Sequence, residues 1–185
     1  MNPAILKDAL KVLNGGGVIA YPTEHCFGLG CDPSQLDAVQ RILTIKQRAA
    51  DQGLILIGLD EQQLSGYANF EALTQEQRER LRASWPGAST WLVPAVEDVS
   101  PLIRGVHQTI AVRVPSFAPC RALLSDFARP LVSTSANRHG EPALLRASDV
   151  VKSLGDELDY VVDAPVGGAS QPSTITDARS GLQLR

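Results

Sequence analysis

Eight residues, Pro130 to Asn137, read PLVSTSAN: an apolar start running into a row of short polar side chains. If they continue a strand, the period of two places Ser133, Ser135 and Asn137 on one face, with Val132, Thr134 and Ala136 on the other. Such a row makes a hydrogen-bonding wall for a ligand; a strand closing in an Asx or Ser/Thr turn has the same composition. Thr109 to Val114, TIAVRV, alternates likewise, leaving Thr109, Ala111 and Arg113 opposite Ile110, Val112 and Val114. An arginine in so apolar a strand must meet an anion or reach solvent, because a buried unpaired charge is costly. A structural salt bridge and a ligand contact both meet that demand.

Lys46 and Arg48 close a helical pattern as Lys46-Gln47-Arg48. In a continuing helix they diverge by about 200°; in an extended exit they share a face. Weak helical character from Gln47 to Gln52, followed by Gly53, favours the extended exit. Two cations then converge as phosphate or carboxylate binding requires; a solvated helix end that favours positive charge is the competing reading. Tyr21-Pro22-Thr23-Glu24 puts proline at a strand end, where no central ladder bond is lost, and frees Thr23 to face a ligand. Ser173 to Asp177, STITD, supplies another polar strand start.

The elements that position these residues are legible in part. Pro3 to Leu13 has a helical stripe ended by Gly15-Gly16-Gly17, and Val18 to Glu24 reads as a strand. Ser34 and Asp37 form a capping-box pattern ahead of a helix through Leu43, and Thr74 and Gln77 cap another that runs to about Ser84. Leu54 to Leu59 is wholly apolar, as expected for a strand covered on both faces. Further strands are expected at Thr90–Pro94, Thr109–Val114, Leu131–Ser135, Tyr160–Asp163 and Ser173–Thr176. Helices are expected from about Ala118 to Ala128 and from about Ser148 to Leu154. The mixture lacks a strict βαβ rhythm, so a mixed α/β or α+β sheet is favoured over a doubly wound one. Gly167 to Pro172, GGASQP, is the most loop-like stretch and a candidate lid.

Composition removes other classes. A chain of 185 residues, 44% hydrophobic and 20% charged, suits one folded domain spanning 1–185. No apolar run approaches a membrane span. The N-terminal MNPAILKDALKVL mixes acid and base without a cleavage-site pattern, which points to a soluble cytoplasmic protein. Cys26, Cys31 and Cys120 are too few for a disulfide framework, and no CxxC pair or histidine cluster suggests zinc. No P-loop is present, and Gly28-Leu29-Gly30 lacks the third glycine of a dinucleotide fingerprint. His25 and Cys26, adjacent in an extended segment, point apart and make no thiol dyad. A net charge of -3 with 5% aromatics argues against bulk nucleic-acid binding.

In this order, YPTE, GLG, KQR, AVRV, STSAN and PST-I-D resemble the YrdC-like family, the L-threonylcarbamoyladenylate synthases in their short bacterial form, from about Val18 to Arg185. The resemblance implies a twisted open α/β sheet around a concave electropositive cavity. It implies a nucleotidyltransferase that joins L-threonine, bicarbonate or CO2, and ATP into threonylcarbamoyl-AMP with release of pyrophosphate, for N6-threonylcarbamoyladenosine at tRNA position 37. By position, Thr23, Arg113, Ser133 and Ser173 would contact threonine. Lys46, Arg48, Thr109, Ser135, Asn137 and Arg185 would contact ATP, with Lys46 and Arg48 catalytic. Mg2+ would be carried by ATP, without a dedicated metal site. Implied partners are the downstream proteins that transfer the threonylcarbamoyl group to tRNA; an RNA- or tRNA-binding module acting in RNA maturation is the rival function. Four positions depart from the family pattern: His25 stands where threonine or alanine is usual, Ala49 for proline, His139 for serine, and Ile57 near a histidine of longer members.

Overall fold

A computed structural model describes residues 2–185. The strands β1 (Ile19–Pro22), β2 (Phe27–Gly30), β3 (Ile55–Ile57), β4 (Ser89–Pro94), β5 (Thr109–Arg113), β6 (Leu131–Ser135), β7 (Tyr160–Val161) and β8 (Thr174–Asp177) form one sheet. Its order is β7-β1-β2-β6-β3-β5-β4-β8. The pairs β1–β7, β3–β5 and β4–β8 are parallel and the remaining neighbours antiparallel. This is the mixed open sheet that the broken rhythm of strands and helices predicted. The helices are α1 (Pro3–Asn14), α2 (Leu36–Lys46), α3 (Glu61–Leu64), α4 (Gln75–Ala83), α5 (Pro101–Arg104), α6 (Ala118–Phe127) and α7 (Ala147–Leu154).

One face of the sheet is apolar from β7 to β4. Ala20, Leu29, Val132, Leu56 and Val112 pack there against Ile42 and Leu43 of α2, Leu81 of α4 and Ile103 of α5. Each of the valine, leucine and isoleucine side chains contributes about 1.5–3 kcal/mol by leaving water. The opposite face is covered at one end only, where Ile19, Tyr21, Leu131 and Ile57 meet Leu13 of α1 and Leu123 and Phe127 of α6. Beyond that cover, Ser133, Ile55, Ala111 and Leu92 lie side by side across β6, β3, β5 and β4. This uncovered stretch is the floor of the site.

The strand expected over Val18 to Glu24 stops at Pro22 and turns back as β2, an element the sequence hid. Gly28 and Gly30 present no side chains whose alternation could reveal it. Their use is spatial: a Cβ at Gly30 would stand 2.7 Å from the Tyr21 ring, and one at Gly28 3.5 Å from it. Gly30 makes room for the ring, while Gly28 lines the cavity. The Ser34–Asp37 capping box also fails. Gln35 is the N-cap of α2 and offers no side-chain bond. Asp32 instead accepts from the Ser34 amide and hydroxyl at 2.9 and 2.7 Å. Its buried carboxylate is paired with Arg129, so the acid that orders this turn lies before the serine. The Thr74–Gln77 capping box forms as predicted.

Candidate functional site

The uncovered half of the sheet bounds a cavity of about 610 Å3. Ser133 and Ser135 line one wall, as the period of two required; Asn137, beyond the end of β6, and Thr134, which that period had set on the other face, line it too, while Val132 and Ala136 are fully buried. Thr109, Ala111 and Arg113 face the same space from β5, with Ile110 and Val112 in the core. Ser173 at the start of β8 and Arg185 beyond it form the far wall, and Thr23 and His25 stand in the β1–β2 turn.

Ser133 accepts the Tyr21 hydroxyl at 2.8 Å. Burial pushes the Tyr21 phenol well above its usual range, so Tyr21 stays a donor and leaves the Ser133 proton for a ligand. The Thr23 hydroxyl donates to Cys26 O at 2.7 Å, closing the turn. Thr23 therefore lines the cavity as an acceptor and is not wholly free, as the proline argument had expected. Ser173, nearly buried, shares a hydrogen bond of 2.9 Å with Thr90. Arg185 grips the Ser173 carbonyl with Nε and Nη2 at 3.2 and 3.0 Å. Asn137 donates through Nδ2 to Glu141 O at 2.6 Å, while its Oδ1 is buried without a partner.

Arg113 forms the structural salt bridge, one of the two readings the sequence left open. Its Nη2 pairs with Glu24 and its Nε donates to Gly87 O at 3.0 Å, while Nη1 has no protein hydrogen bond among the described residues. Glu24 also accepts from the Ser116 and Phe117 amides at 3.0 and 3.3 Å. Burial alone would raise the Glu24 carboxyl, but the Arg113 hydrogen bond and charge, with the Ser116 amide, hold it below its ordinary value.

The expected extended exit after α2 is not formed. Gln47 takes a left-handed conformation at φ 50°, ψ 44°, and turns the chain sharply. Arg48 enters the cavity wall, donating through Nη2 to Gly53 O at 2.9 Å, with its Nε buried and unpartnered. Lys46 goes elsewhere: it is 4% exposed, and Nζ donates to Ser135 O at 2.6 Å and Asn137 O at 2.9 Å. It lies behind the hydroxyl wall and pins it. Burial, then the nearby charge of Arg48, push the Lys46 ammonium down to about 8 from 10.5. The unfolded chain keeps that proton to about pH 10.5, so between those values unfolding takes up a proton and stability rises with pH. Lys46→Met is expected to remove this increment, whose slope is at most about 1.4 kcal/mol per pH unit. Urea unfolding of both proteins at several values between pH 7 and 10 would measure it.

Among the described residues, Arg48, Arg104, Arg113 and Arg185 line the cavity against one acidic side chain, Glu141, with Arg113 already paired to Glu24. The site is electropositive in a chain of net charge -3. Among the described residues, no group of three His, Cys, Asp or Glu side chains could hold a metal ion, and no helix is long and apolar enough to cross a membrane. The sequence reading missed Glu24, Tyr21, Thr90, Arg104 and His107. Only Glu24 left a signal, since a strand arginine needs an anion. Of the departures, Ile57 faces the α1–α6 core and is no part of the cavity. His139 is exposed on the loop after Asn137, its amide bonded to Lys46 O at 2.9 Å. The GGASQP stretch is tied down at its start, where Gly167 and Ala169 amides bond Thr23 O and Glu24 O at 2.9 and 2.8 Å.

A mixed open sheet whose half-covered face carries a polar, arginine-lined cavity defines a class, and the sequence places the chain within it. The chain belongs to the Sua5/YciO/YrdC family, whose model, described as "Telomere recombination", matches residues 11–184. It is 43% identical to the threonylcarbamoyl-AMP synthase of Stenotrophomonas maltophilia (strain K279a) over 185 residues, all of both chains. It is 44% identical to that of Vibrio vulnificus (strain YJ016) over 180 residues, 97% of each. Among solved structures, P. abyssi Sua5 complexed with L-threonine is similar at a TM-score of 0.85 and 30% identity, covering 93% of this chain and 50% of that one. The chain thus spans half of that protein. E. coli YciO gives a TM-score of 0.85 at 25% identity, covering 100% of this chain and 89% of its own.

Proposed function

We propose that the protein synthesises L-threonylcarbamoyladenylate from L-threonine, CO2 or bicarbonate, and ATP, releasing pyrophosphate, and so supplies N6-threonylcarbamoyladenosine formation at tRNA position 37. The observation that carries this reading is the joining, in one cavity, of a hydroxyl-and-arginine corner with an arginine cluster. Thr23, Ser133, Ser173 and Arg113 form the amino-acid corner. Arg113 Nη1 meets the threonine carboxylate. The Ser133 proton and the Thr23 and Ser173 oxygens meet the substrate hydroxyl and amine, and unpaired hydroxyls penalise analogues that lack the match.

Arg48, Arg185, Thr109, Ser135 and Asn137 hold ATP. The unpartnered Asn137 Oδ1 and Arg48 Nε suit a ligand that brings both a donor and an acceptor, as an adenine nucleotide does. Mg2+ rides with the nucleotide and offsets its phosphate charge. The carbamate oxygen attacks the α-phosphorus in line as pyrophosphate leaves. Both reactants are anions, so the cations that border the cavity lower the barrier most as charge spreads over the phosphorus oxygens. Lys46 adds charge from behind the wall and fixes Ser135 and Asn137, whose carbonyls it holds. No covalent nucleophile is required. The product passes to proteins that transfer the threonylcarbamoyl group to tRNA.

Pyrophosphate release from Mg-ATP tests the reading. It is expected to require both L-threonine and bicarbonate and to be at least about tenfold weaker with serine. No release, together with salt-sensitive tRNA binding, would replace the synthase with an RNA-binding module.

A further inference from the structure

His25 borders the cavity between Thr23 and Cys26, and its Nδ1 lies 2.8 Å from Ala169 O. A carbonyl oxygen can only accept, so Nδ1 carries a proton and the neutral ring keeps its lone pair on Nε2. The segments on both sides of that bond are fixed to each other, through Gly167 to Thr23 O and Ala169 to Glu24 O. A base with one nitrogen held by an orienting acceptor is the arrangement used to activate a nucleophile.

The other titratable groups here are spent or ill suited. Glu24 is engaged by Arg113 and two amides, and its carboxyl is held low. Burial pushes the Cys26 thiol up, and Lys46 is committed to two carbonyls behind the wall. Glu141, whose carbonyl accepts from Asn137, and His107, two positions before Thr109, are exposed residues next in the chain to groups assigned above to ATP. The 167–172 segment brings no titratable side chain.

We infer that His25 is the proton acceptor for the threonine amine during carbamate formation, an inference that rests on the function proposed above. Threonine enters as an ammonium ion, which has no lone pair to offer. One proton passes to His25 Nε2, and the imidazolium keeps its bond to Ala169 O. The freed nitrogen pair forms the N–C bond to CO2 while one C=O pair moves onto oxygen, and a second proton leaves the nitrogen for water. The sum is ammonium plus CO2 giving carbamate and two protons, one on His25 and one in solvent. The adenylation that follows does not use the residue. Water also accepts protons from an amine, so His25 speeds a step that water otherwise performs.

The test compares two directions of the reaction in wild type, His25→Asn and His25→Ala. Asparagine keeps a donor near the position of Nδ1 for Ala169 O and removes Nε2; alanine removes both. Forward synthesis from threonine, bicarbonate and ATP is expected to fall about five- to tenfold in both variants, below the usual range for a general base because water substitutes. Pyrophosphorolysis of supplied threonylcarbamoyladenylate, which makes ATP without deprotonating an amine, is expected to stay within about twofold. Wild-type forward rates in His25→Asn with a loss in His25→Ala would leave the residue a mere latch and overturn the inference. Equal losses in both directions would overturn it too. Wild-type protein inactive in both directions would overturn the proposed function itself.

Discussion

Arg113→Ala raises the KM for threonine by about 30-fold or more and moves the KM for ATP by less than about threefold, the loss expected for one charge-assisted carboxylate contact. The same substitution destabilises the fold. Glu24 is left at 12% side-chain exposure without its cation, and breaking a buried pair from one side costs about 3–5 kcal/mol. The pH dependence has a definite sign. In the wild type, the depressed Glu24 carboxyl contributes stability above its ordinary value of 4.5 that is lost as pH falls through the native value. Without Arg113, burial would raise that carboxyl, so the gap between variant and wild type narrows on acidification. Arg113→Lys separates the two effects. It keeps a cation for Glu24 but loses the planar fork, so stability largely returns while the threonine KM stays high. Steady-state kinetics with each substrate varied, and thermal unfolding at pH 4.5 and 7.5, measure these outcomes. A larger rise in the ATP KM than in the threonine KM would exchange the two subsites.

Arg48→Ala lowers the rate of adenylate formation about tenfold to a hundredfold, mainly through kcat, and does not destabilise the protein. Arg48 is half-buried, and burial followed by the like charge of Arg185 pushes its guanidinium down. Two cations facing each other across a cavity are a cost in the empty protein and a gain when polyphosphate lies between them. Truncating one removes repulsion from the resting state and stabilisation from the transition state. Single-turnover pyrophosphate release gives the first effect, and thermal unfolding without nucleotide gives the second. A variant with full kcat would remove Arg48 from the chemistry. The contrast with Arg113 is physical: one arginine is paired with an anion of the protein, whereas the strongest charge acting on the other is a second cation.

Much of the site was legible from alternation alone. TIAVR and LVSTS are short strands with one face in the core, so their period of two assigned Thr109 and Arg113, and Ser133 and Ser135, to the other face before any fold was known; Asn137 reaches the same wall from the turn that follows. That inference needs only local geometry. The same rule failed for β2, because glycines carry no pattern, and for Lys46 and Arg48, because a single left-handed residue, Gln47, sends two neighbouring cations to opposite sides of the hydroxyl wall. The Ser34–Asp37 pattern failed because Asp32, tied to Arg129 from 97 positions away, made a stronger local partner.

The sequence by itself determined which side chains of β5 and β6 share a face and that the family's hydroxyls and cations are present, since these follow from residue type and near spacing. Only the tertiary structure decided what each one touches. Glu24 reaches Arg113, Thr90 reaches Ser173 and Tyr21 reaches Ser133 because a sheet of order β7-β1-β2-β6-β3-β5-β4-β8 brings residues far apart in the chain into register. The cavity exists because α1 and α6 cover only one end of a face that α2, α4, α5 and α7 leave alone. Where a layer stops is set by packing across the whole chain, and no local pattern records it.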